Sequence, residues 1–276
     1  MSGAPPVAYL GPEGTFTHAA ARELFGAAAT YAGQVTIEGV FDAVARGDAG
    51  CGVVPIENSS EGSVTQAVDA LIDGALVLRA ELELPIAHCL VSRAAELAPI
   101  ERVYSHPQAL GQCRAWLFRH LERAALVPSV STAAAVREAK SDERAAAIAS
   151  RLASEIHGVP VLRERIQDVA ENATRFVVIG AGDAPRTGAD KTTLAFILRH
   201  ERGALLRVLE IFDAEGINLT RLESRPNRRE AWEYVFFTDF EGHRDDAPVA
   251  RAFDRLRTKC VMVKHLGSYP RAPRRG

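Results

Sequence analysis

The sequence predicts an α/β protein with two lobes around a cleft, followed by a smaller ferredoxin-like βαββαβ unit. Three observations predict this fold class. Strand-like and helix-like segments alternate over the first ~180 residues, which is typical of sheets covered by helices. A strand-like segment near the middle of that region is too long for one strand. After a Gly-rich stretch at residues 180–190, the order of the elements changes.

The first lobe begins with a short buried strand, VAYLG at residues 7–11. THAAARELFG (17–26) has helical spacing and a closing glycine, which predicts a helix. CGVVPIE (51–57) predicts another strand. SVTQAVDALIDG (63–74) predicts a helix, because Ser63 and Gln66 have the spacing of a capping box.

The long segment ALVLRAELELPIAHCLVS (75–92) contains Pro85, which a central strand does not tolerate. We therefore expect the chain to cross here into a second lobe of about residues 87–160. Helices are predicted at 108–123, 131–140 and 149–158. The alternation of these helices with strands predicts parallel sheets covered on both faces. The chain then returns to the first lobe through the strand that ends at Ile179.

The stretch GAGDAPRTGAD, Gly180 to Asp190, predicts a linker between a domain at residues 1–183 and a second domain at 191–270. Its GAG lacks the third glycine of a dinucleotide fingerprint, and Pro185 disrupts the helix that should follow. Beyond the linker, strand, helix, strand, strand, helix and strand follow one another, with the third strand predicted at residues 231–240.

Composition excludes several classes of protein. The 33 basic and 35 acidic residues give a net charge of -2, which does not suit a general nucleic-acid binder. No apolar run is long enough to span a membrane, and no leader pattern precedes the first strand. The four cysteines have no CxxC pairing, so we expect reduced thiols in a cytoplasmic protein. No His, Cys or carboxylate cluster has metal-ligand spacing, and no metal site is expected.

Polar side chains collect where strands lead into helices, in GPEGTFTH, PIENSSEGS, SHPQALGQC and STAAA, and just before the strand of NATRF. Taken singly, these residues have a simple explanation as helix caps: Ser105 with Gln108, Ser131, and Thr15 or Thr17. Taken together, they place neutral hydrogen-bond donors and one guanidinium around a cleft, which suits a small, multiply oxygenated anion. These residues are Glu57, Asn58, Ser59, Ser105, Gln108, Ser131, Thr132, Asn172, Thr174 and Arg175.

YLGPEGTFTH, GVVPIENSSEG, SHPQALGQC and NATRF resemble the motifs of prephenate dehydratase, and GALLRVL and NLTRLESRP resemble the ACT regulatory domain. The resemblance extends from about Ala8 to Tyr269. It implies a periplasmic-binding-protein-like catalytic domain that converts prephenate to phenylpyruvate, water and carbon dioxide, on the route to phenylalanine and without a cofactor. No helical mutase segment precedes Val7, which favours the monofunctional form of the family.

The resemblance also implies which residues act. Thr174 matches the threonine regarded as essential in the family, with Arg175 and Glu57 as further catalytic candidates. Strand alternation could turn Arg175 to the other face, Glu57 could instead form a salt bridge across the cleft, and Phe176 could simply be core. The implied substrate-binding residues are Asn58, Ser59, Ser105, Gln108, Thr132, Asn172 and Phe176.

The ACT-like unit implies allosteric inhibition by L-phenylalanine, bound between two copies of the domain. A helix start without a bulky side chain suits a carboxylate, and Asn or Glu suits an ammonium. A shared site implies a homo-oligomer, a dimer or tetramer. The residues implied are Gly203, Ala204, Leu205, Asn218, Glu223, Ser224 and Arg225.

Three alternatives stay open. An arogenate dehydratase would use the amino analogue of prephenate with the same motifs. A two-lobed solute-binding protein would bind without chemistry, although such binders are usually exported and the sequence shows no signal peptide. A pure ACT-type regulator would not need so large a first region.

Overall fold

The computed structural model describes residues 4–227, 230 and 233–273. The chain divides into two compact units, and each unit is built from two segments of the sequence. The first unit comprises Met1–Thr65 and Leu82–Phe176, and the second comprises Gln66–Glu81 and Val177–Gly276.

The N-terminal part of the chain, up to residue 92, alternates strands and helices as predicted. Its elements are β1 (Val7–Leu10), α1 (Phe16–Phe25), β2 (Tyr31–Gln34), α2 (Ile37–Ala45), β3 (Cys51–Asn58), β4 (Gly62–Ser63), α3 (Thr65–Asp73), β5 (Val77–Pro85) and β6 (Cys89–Ser92). The long strand-like segment divides at Pro85, because a proline cannot donate to the strand ladder. Ser63 belongs to β4, so the helix expected to start there begins at Thr65.

The next part of the chain continues the same alternation. Its elements are β7 (Arg102–Ser105), α4 (Pro107–Gln112), α5 (Arg114–His120), β8 (Ala125–Pro128), α6 (Thr132–Ala139), β9 (Ala145–Ala149), α7 (Arg151–His157), β10 (Val161–Arg163) and β11 (Ala173–Gly180). One sheet has the strand order β2-β1-β3-β11-β5, with β4 beside β3, and the other has the order β10-β6-β9-β7-β8.

The prediction of parallel sheets is only partly correct. In the first sheet, β1 is parallel to both β2 and β3, whereas the short β4 is antiparallel to β3. In the second sheet, β7 is parallel to β8 and β9, but β6 is antiparallel to β9 and β10. The difference arises because the connection from β6 to β7 is short and contains no helix, whereas a parallel crossover takes a dozen or more residues.

Helices cover both faces of the second sheet. On one face, Leu90 and Ile148 pack with Leu110 and Leu117 of α4 and α5. On the other face, Val91 and Ala147 of β6 and β9 pack against α6 and α7, and Val136 is the α6 residue at this contact. Burying each large apolar side chain contributes about 1.5–3 kcal/mol. This packing fixes α4, which carries two of the glutamines discussed below.

The second unit contains the βαββαβ order predicted from the sequence. Its elements after the linker are β12 (Asp190–Leu198), α8 (Ala204–Ala214), β13 (Leu219–Pro226), β14 (Tyr234–Glu241), α9 (Ala247–Lys259) and β15 (Cys260–Pro270). The strand order is β13-β14-β12-β15, so β13 is an edge strand. Residues 231 and 232, where the third of these strands was predicted to start, lie outside the described residues.

Helix α3 and the first half of β5 belong to this second unit. Asp69 pairs with Arg225 at 3.0 Å, and the buried Glu81 pairs with Lys191 at 2.8 Å. Lys264 donates to backbone carbonyls at the end of α3, including that of Leu71. This division differs from the predicted boundary at residue 183, because segment 66–81 packs on the C-terminal sheet. Independent folding of residues 1–183 therefore stays a prediction.

Within the described part of the chain, no helix has the length and apolarity needed to cross a bilayer. The same residues contain no group of three or more His, Cys, Asp or Glu side chains arranged to hold a metal ion. All four cysteines are described, and none forms a disulfide. Burial raises the pKa of the Cys89, Cys113 and Cys260 thiols, which makes them poor nucleophiles.

Candidate active site

Thr174 and Asn58 meet at the ends of two strands of the first sheet. Both side chains are buried, and Asn58 Nδ2 donates to Thr174 Oγ1 at 2.8 Å. Because the oxygen of Thr174 accepts this bond, the hydroxyl hydrogen remains available for a second bond. Asn58 Oδ1 accepts from the backbone N–H of Ser60 at 2.9 Å, which orients the amide with its nitrogen toward Thr174.

Asn172 extends this arrangement toward the second sheet. Asn172 Oδ1 accepts from Asn58 Nδ2 at 3.0 Å, so its own nitrogen points the other way. That nitrogen donates to Gln112 Oε1 of α4 at 3.2 Å. The side chain amides therefore form a directional chain from α4 to Thr174. We call Asn58, Asn172 and Gln112 the amide chain.

Glu61, in the β3–β4 turn, accepts hydrogen bonds from two glutamines of α4. Gln108 Nε2 lies 2.6 Å from Glu61 Oε2, and Gln112 Nε2 lies 3.1 Å from Glu61 Oε1. Positions four residues apart share one face of a helix, so the two amides project together. They present a pair of donors to one carboxylate, which in this structure is the side chain of Glu61.

His88 lies between β5 and β6 and is 3% exposed. Its Nε2 is 2.9 Å from Gln112 Oε1, and its ring meets Phe16 edge-on with 5.4 Å between centroids. Burial lowers the pKa of His88, and the bond to Gln112 opposes that shift only in part. A neutral imidazole in contact with the amide chain follows from this environment.

Arg175 and Glu57 form a separate pair. Arg175 is buried, and its Nη1 lies 3.5 Å from Glu57 Oε2. Successive side chains of a strand point to opposite faces, so this pair lies on the other face of β3 and β11 from Asn58 and Thr174. The salt bridge foreseen for Glu57 therefore exists, but it joins neighbouring strands instead of crossing the cleft. Catalytic roles for Arg175 and Glu57 stay predictions.

The serine and threonine candidates occupy structural positions. Ser105 Oγ is fully buried and donates to the Ile148 carbonyl at 2.7 Å. His106 caps α4 instead, so the expected capping box of Ser105 and Gln108 is wrong. Ser131 caps α6 as expected, and Thr132 is the first residue of that helix. Substrate contacts of Ser105 and Thr132 stay predictions.

Two further candidates lie beside Thr174. Ser59 Oγ accepts from the backbone N–H of Ala173 at 3.0 Å, and Ser59 N–H donates to the Ala173 carbonyl at 2.9 Å. Ser59 therefore fixes the backbone next to the Thr174 hydroxyl. Phe176 is 2% exposed and, two positions along β11, shares the face of Thr174. Its position is compatible both with a contact to the substrate ring and with an ordinary place in the core.

The residues expected to bind phenylalanine lie at two places in the second unit. Gly203 caps α8 with φ of 75°, and no side chain caps that helix start. Ala204 and Leu205 face the apolar core there. On β13, Glu223 pairs with Arg221 at 2.9 Å, whereas Ser224 on the opposite face is exposed.

Asn218 is exposed just before β13, and Arg225 is held by Asp69. Glu223 and Arg225 lie on one face of β13 and Ser224 on the other, because they alternate along the strand. The structure thus brings Glu223 and Arg225 onto one face and leaves Ser224 and Asn218 open to solvent. An effector role for the whole set stays a prediction.

Sequence reasoning missed Gln112, His88 and Glu61 as site residues. Gln112 lies four residues after Gln108, a helical spacing that could have paired them. Glu61 lies in the same polar stretch as Asn58. The sequence around His88 reads as part of a crossing strand, and only the folded chain brings its ring to α4.

Comparison with known proteins decides the family. A family model described as prephenate dehydratase matches residues 7–184, and one described as ACT domain matches residues 192–258. The first match covers more than half of the chain. The chain belongs to the prephenate dehydratase family. The family resemblance and the α/β fold class predicted from the sequence are therefore confirmed.

Relatives of this prephenate dehydratase family member match over nearly all of its length. The bifunctional chorismate mutase/prephenate dehydratase of Aquifex aeolicus is 44% identical over 96% of this chain and 74% of its own length. Prephenate dehydratase from Arthrobacter aurescens, solved in complex with L-Phe, is 39% identical. That match has a TM-score of 0.88 and covers 97% of this chain and 90% of the other.

A second solved structure carries a different description on the same fold. GqqA, described as a novel type of quorum quenching acylase, is 30% identical with a TM-score of 0.88. The match covers 98% of this chain and 99% of that protein. Fold similarity of this degree therefore accompanies two described activities, and the side chains of the site must carry the functional argument.

Proposed function

We propose that this protein converts prephenate to phenylpyruvate, water and carbon dioxide, and that L-phenylalanine inhibits it through the ACT domain. The observation that carries the catalytic proposal is the hydrogen bond from Asn58 Nδ2 to Thr174 Oγ1 at 2.8 Å. This bond leaves the hydroxyl hydrogen of Thr174 for a substrate oxygen. Family membership supports prephenate as the substrate, and the geometry around Asn58 supports the role proposed for Thr174.

The reaction demands little of the protein. In prephenate, the bond from the ring to its carboxylate breaks, and its electron pair enters the ring. The bond from the ring to the hydroxyl oxygen breaks with its pair on the oxygen, and a proton converts the departing hydroxide to water. The product ring is aromatic, so the driving force is large and no cofactor is required. Placement of the dianion and stabilisation of the leaving oxygen are the tasks that remain.

Thr174 performs the second task. Its hydroxyl donates a hydrogen bond to the leaving oxygen as negative charge develops there. A threonine is too weak an acid to lose its proton for long, so solvent supplies the net proton. Asn58 makes the arrangement directional, because its donated bond prevents Thr174 Oγ1 from turning its hydrogen toward the amide.

The amides of α4 suit the first task. Gln108 and Gln112 together donate to the two oxygens of the Glu61 carboxylate. A substrate carboxylate has the same two acceptors and would take the same donors in place of Glu61. Neutral amides bind an anion without imposing a compensating charge, so the ring carboxylate is not over-stabilised before it departs.

Regulation and assembly belong to the same proposal. Residues 1–183 would form the catalytic domain and residues 191–270 the ACT domain. The start of α8 at Gly203, which no side chain caps, presents backbone N–H groups suited to the phenylalanine carboxylate. Asn218 and Ser224, exposed at the edge strand β13, would be covered by a second copy in a dimer or tetramer. The four cysteines form no disulfide, which fits a cytoplasmic location.

A turnover assay tests the catalytic proposal. The purified protein is incubated with prephenate and, in parallel, with arogenate, and phenylpyruvate and phenylalanine are followed as the products. Phenylpyruvate formation from prephenate supports the proposal. Turnover of arogenate alone would identify an arogenate dehydratase. Binding of prephenate without turnover would point to a two-lobed binding protein.

A calorimetric titration tests the regulatory proposal separately. L-Phenylalanine should bind the wild-type protein and lower prephenate turnover, with a coupling of about 5- to 150-fold. Absence of phenylalanine binding would remove the regulatory role and leave the ACT domain with assembly alone.

A further inference from the structure

His88 is held rigidly between β5 and β6. Its backbone N–H donates to Gln167 Oε1 at 3.1 Å, and its carbonyl accepts from the N–H of Ile166 at 3.0 Å. Phe16 closes one side of the ring. Because its backbone is held on both sides and its ring is packed against Phe16, His88 can direct a hydrogen bond with little freedom to rotate.

The partners of Gln112 determine which nitrogen of His88 carries hydrogen. Gln112 Nε2 donates to Glu61, so the amide oxygen is the atom that faces both Asn172 and His88. Asn172 donates to that oxygen, and an oxygen accepts but does not donate. His88 Nε2 therefore carries the hydrogen, and Nδ1 of the neutral ring is a bare acceptor.

Nδ1 of His88 is buried and has no hydrogen-bond partner among the described residues. A hydrogen on Nδ1 would be a buried donor without an acceptor, which the fold would have to stabilise at a cost. The ring is therefore suited to one state, neutral, with a single donor aimed at Gln112. The ring orients the Gln112 side chain and adds no charge to the site.

Removal of that donor would loosen the amide chain at its far end. Gln112 Oε1 would lose one of its two donors, and the amide could then rotate about its last bond. Asn172 would lose a fixed acceptor, and the orientation of Asn58 against Thr174 would depend on its backbone bonds to Ser60 and Ala173. The effect would reach the Thr174 hydroxyl although His88 forms no hydrogen bond with Thr174 itself.

We propose that His88 is a positioning residue for the dehydration: through its Nε2–H bond to Gln112 it holds the amide chain that aims the hydroxyl of Thr174. The inference rests on the proposed function only for the identity of the reaction. It assigns to the crossing segment between β5 and β6 a role in catalysis beyond connecting the sheets.

A double-mutant cycle tests the proposal. His88→Leu should lower kcat for prephenate roughly 2- to 13-fold, the net value of one hydrogen bond, with a smaller change in KM. His88→Gln, whose side-chain N–H can reach the same oxygen, should recover most of kcat. In a Gln112→Met background, His88→Leu should have almost no further effect, because the bond it removes is already absent.

His18→Leu is the matched control. His18 is equally buried in the same unit, but its ring stacks on Tyr9 at 4.7 Å and has no bond to the amide chain. Any effect of His18→Leu should multiply with that of Gln112→Met. Multiplicative effects for His88→Leu as well, or failure of His88→Gln to exceed His88→Leu, would overturn the positioning role.

A spectroscopic measurement keeps the inference testable even if prephenate is not the substrate. In protein with 15N-labelled histidine, the His88 ring should be neutral with its hydrogen on Nε2 near neutral pH, identified by loss of the signal in His88→Gln. A doubly protonated ring, or hydrogen on Nδ1, would overturn the inference. If the wild-type protein does not convert prephenate but the His88 ring is neutral with its hydrogen on Nε2, the proposed function is wrong and the hydrogen-bond assignment stands.

Discussion

The polar side chains around Thr174 and those along β13 belong to different compact units and are arranged in different ways. Around Thr174, the amides of Asn58 and Asn172 are buried and that of Gln112 is half-buried, and each hydrogen bond fixes the direction of the next. Along β13, Ser224 is exposed, whereas Glu223 and Arg225 form ion pairs with Arg221 and Asp69. Neutral directed bonds characterise the first region, and exposed groups beside ion pairs characterise the second.

This difference indicates two kinds of task. The side chains around Thr174 all belong to one unit and are already held in place by hydrogen bonds. Stabilisation of a developing charge requires such a preorganised arrangement. A constellation with exposed polar groups on an edge strand is suited to a ligand or a second copy of the chain that would cover them. Each prediction below disturbs one region and asks whether the other is spared.

Thr174→Ala should produce the largest effect. It removes the hydroxyl that donates to the leaving oxygen, and kcat for prephenate should fall about 10²–10⁴-fold with a much smaller change in KM. Thr174→Ser keeps the hydroxyl and should retain part of the activity. Phenylalanine should still bind both variants by calorimetry. Near-normal turnover in a folded Thr174→Ala protein would contradict the assignment.

Part of this site could be predicted from sequence and part could not. A hydroxyl at the start of a core strand identifies Thr174, and strand alternation already allowed Arg175 to face away from it. The directions of the hydrogen bonds could not be predicted, because Asn58, Asn172 and Gln112 come together only in the folded chain. The same holds for the overall fold, where alternation revealed the α/β class but not the packing of segment 66–81 on the C-terminal sheet.

Gly203→Val should abolish the response to phenylalanine and leave turnover without phenylalanine close to wild type. The branched side chain would crowd the helix start and meet Arg207 Nη1 at 3.2 Å from its Cβ. The expected loss is the full effector coupling, about 5- to 150-fold. Prephenate turnover against phenylalanine concentration measures it.

Gly216→Val is the matched control for the second region. Gly216 follows α8 at its other end with φ of 67°, so a valine there suffers similar left-handed strain in open space. Its inhibition curve should resemble wild type. Equal loss of response in both variants would attribute the effect to strain in the domain and not to a blocked site.

Glu61→Gln should have a smaller effect, on substrate binding. The Glu61 carboxylate occupies both α4 amides and repels an incoming dianion, so its neutral replacement should lower KM for prephenate. For an exposed charge, a change of roughly 1.5- to 5-fold is expected. Glu171→Gln, which removes another exposed charge close to Asn172 in the chain, should change KM less. A raised KM in Glu61→Gln would show that the carboxylate assists binding.

The central claim is that Asn58 donates to Thr174 and so directs the threonine hydrogen toward the leaving oxygen, and Asn58→Asp tests it most directly. The carboxylate has nearly the same shape but accepts, so it would draw the Thr174 hydrogen toward itself. At neutral pH, kcat for prephenate should fall roughly 10²-fold or more with the protein still folded. As the pH is lowered, protonation of the buried carboxyl restores a donor, so kcat relative to wild type should recover. A kcat for Asn58→Asp within about threefold of wild type at neutral pH would contradict the account.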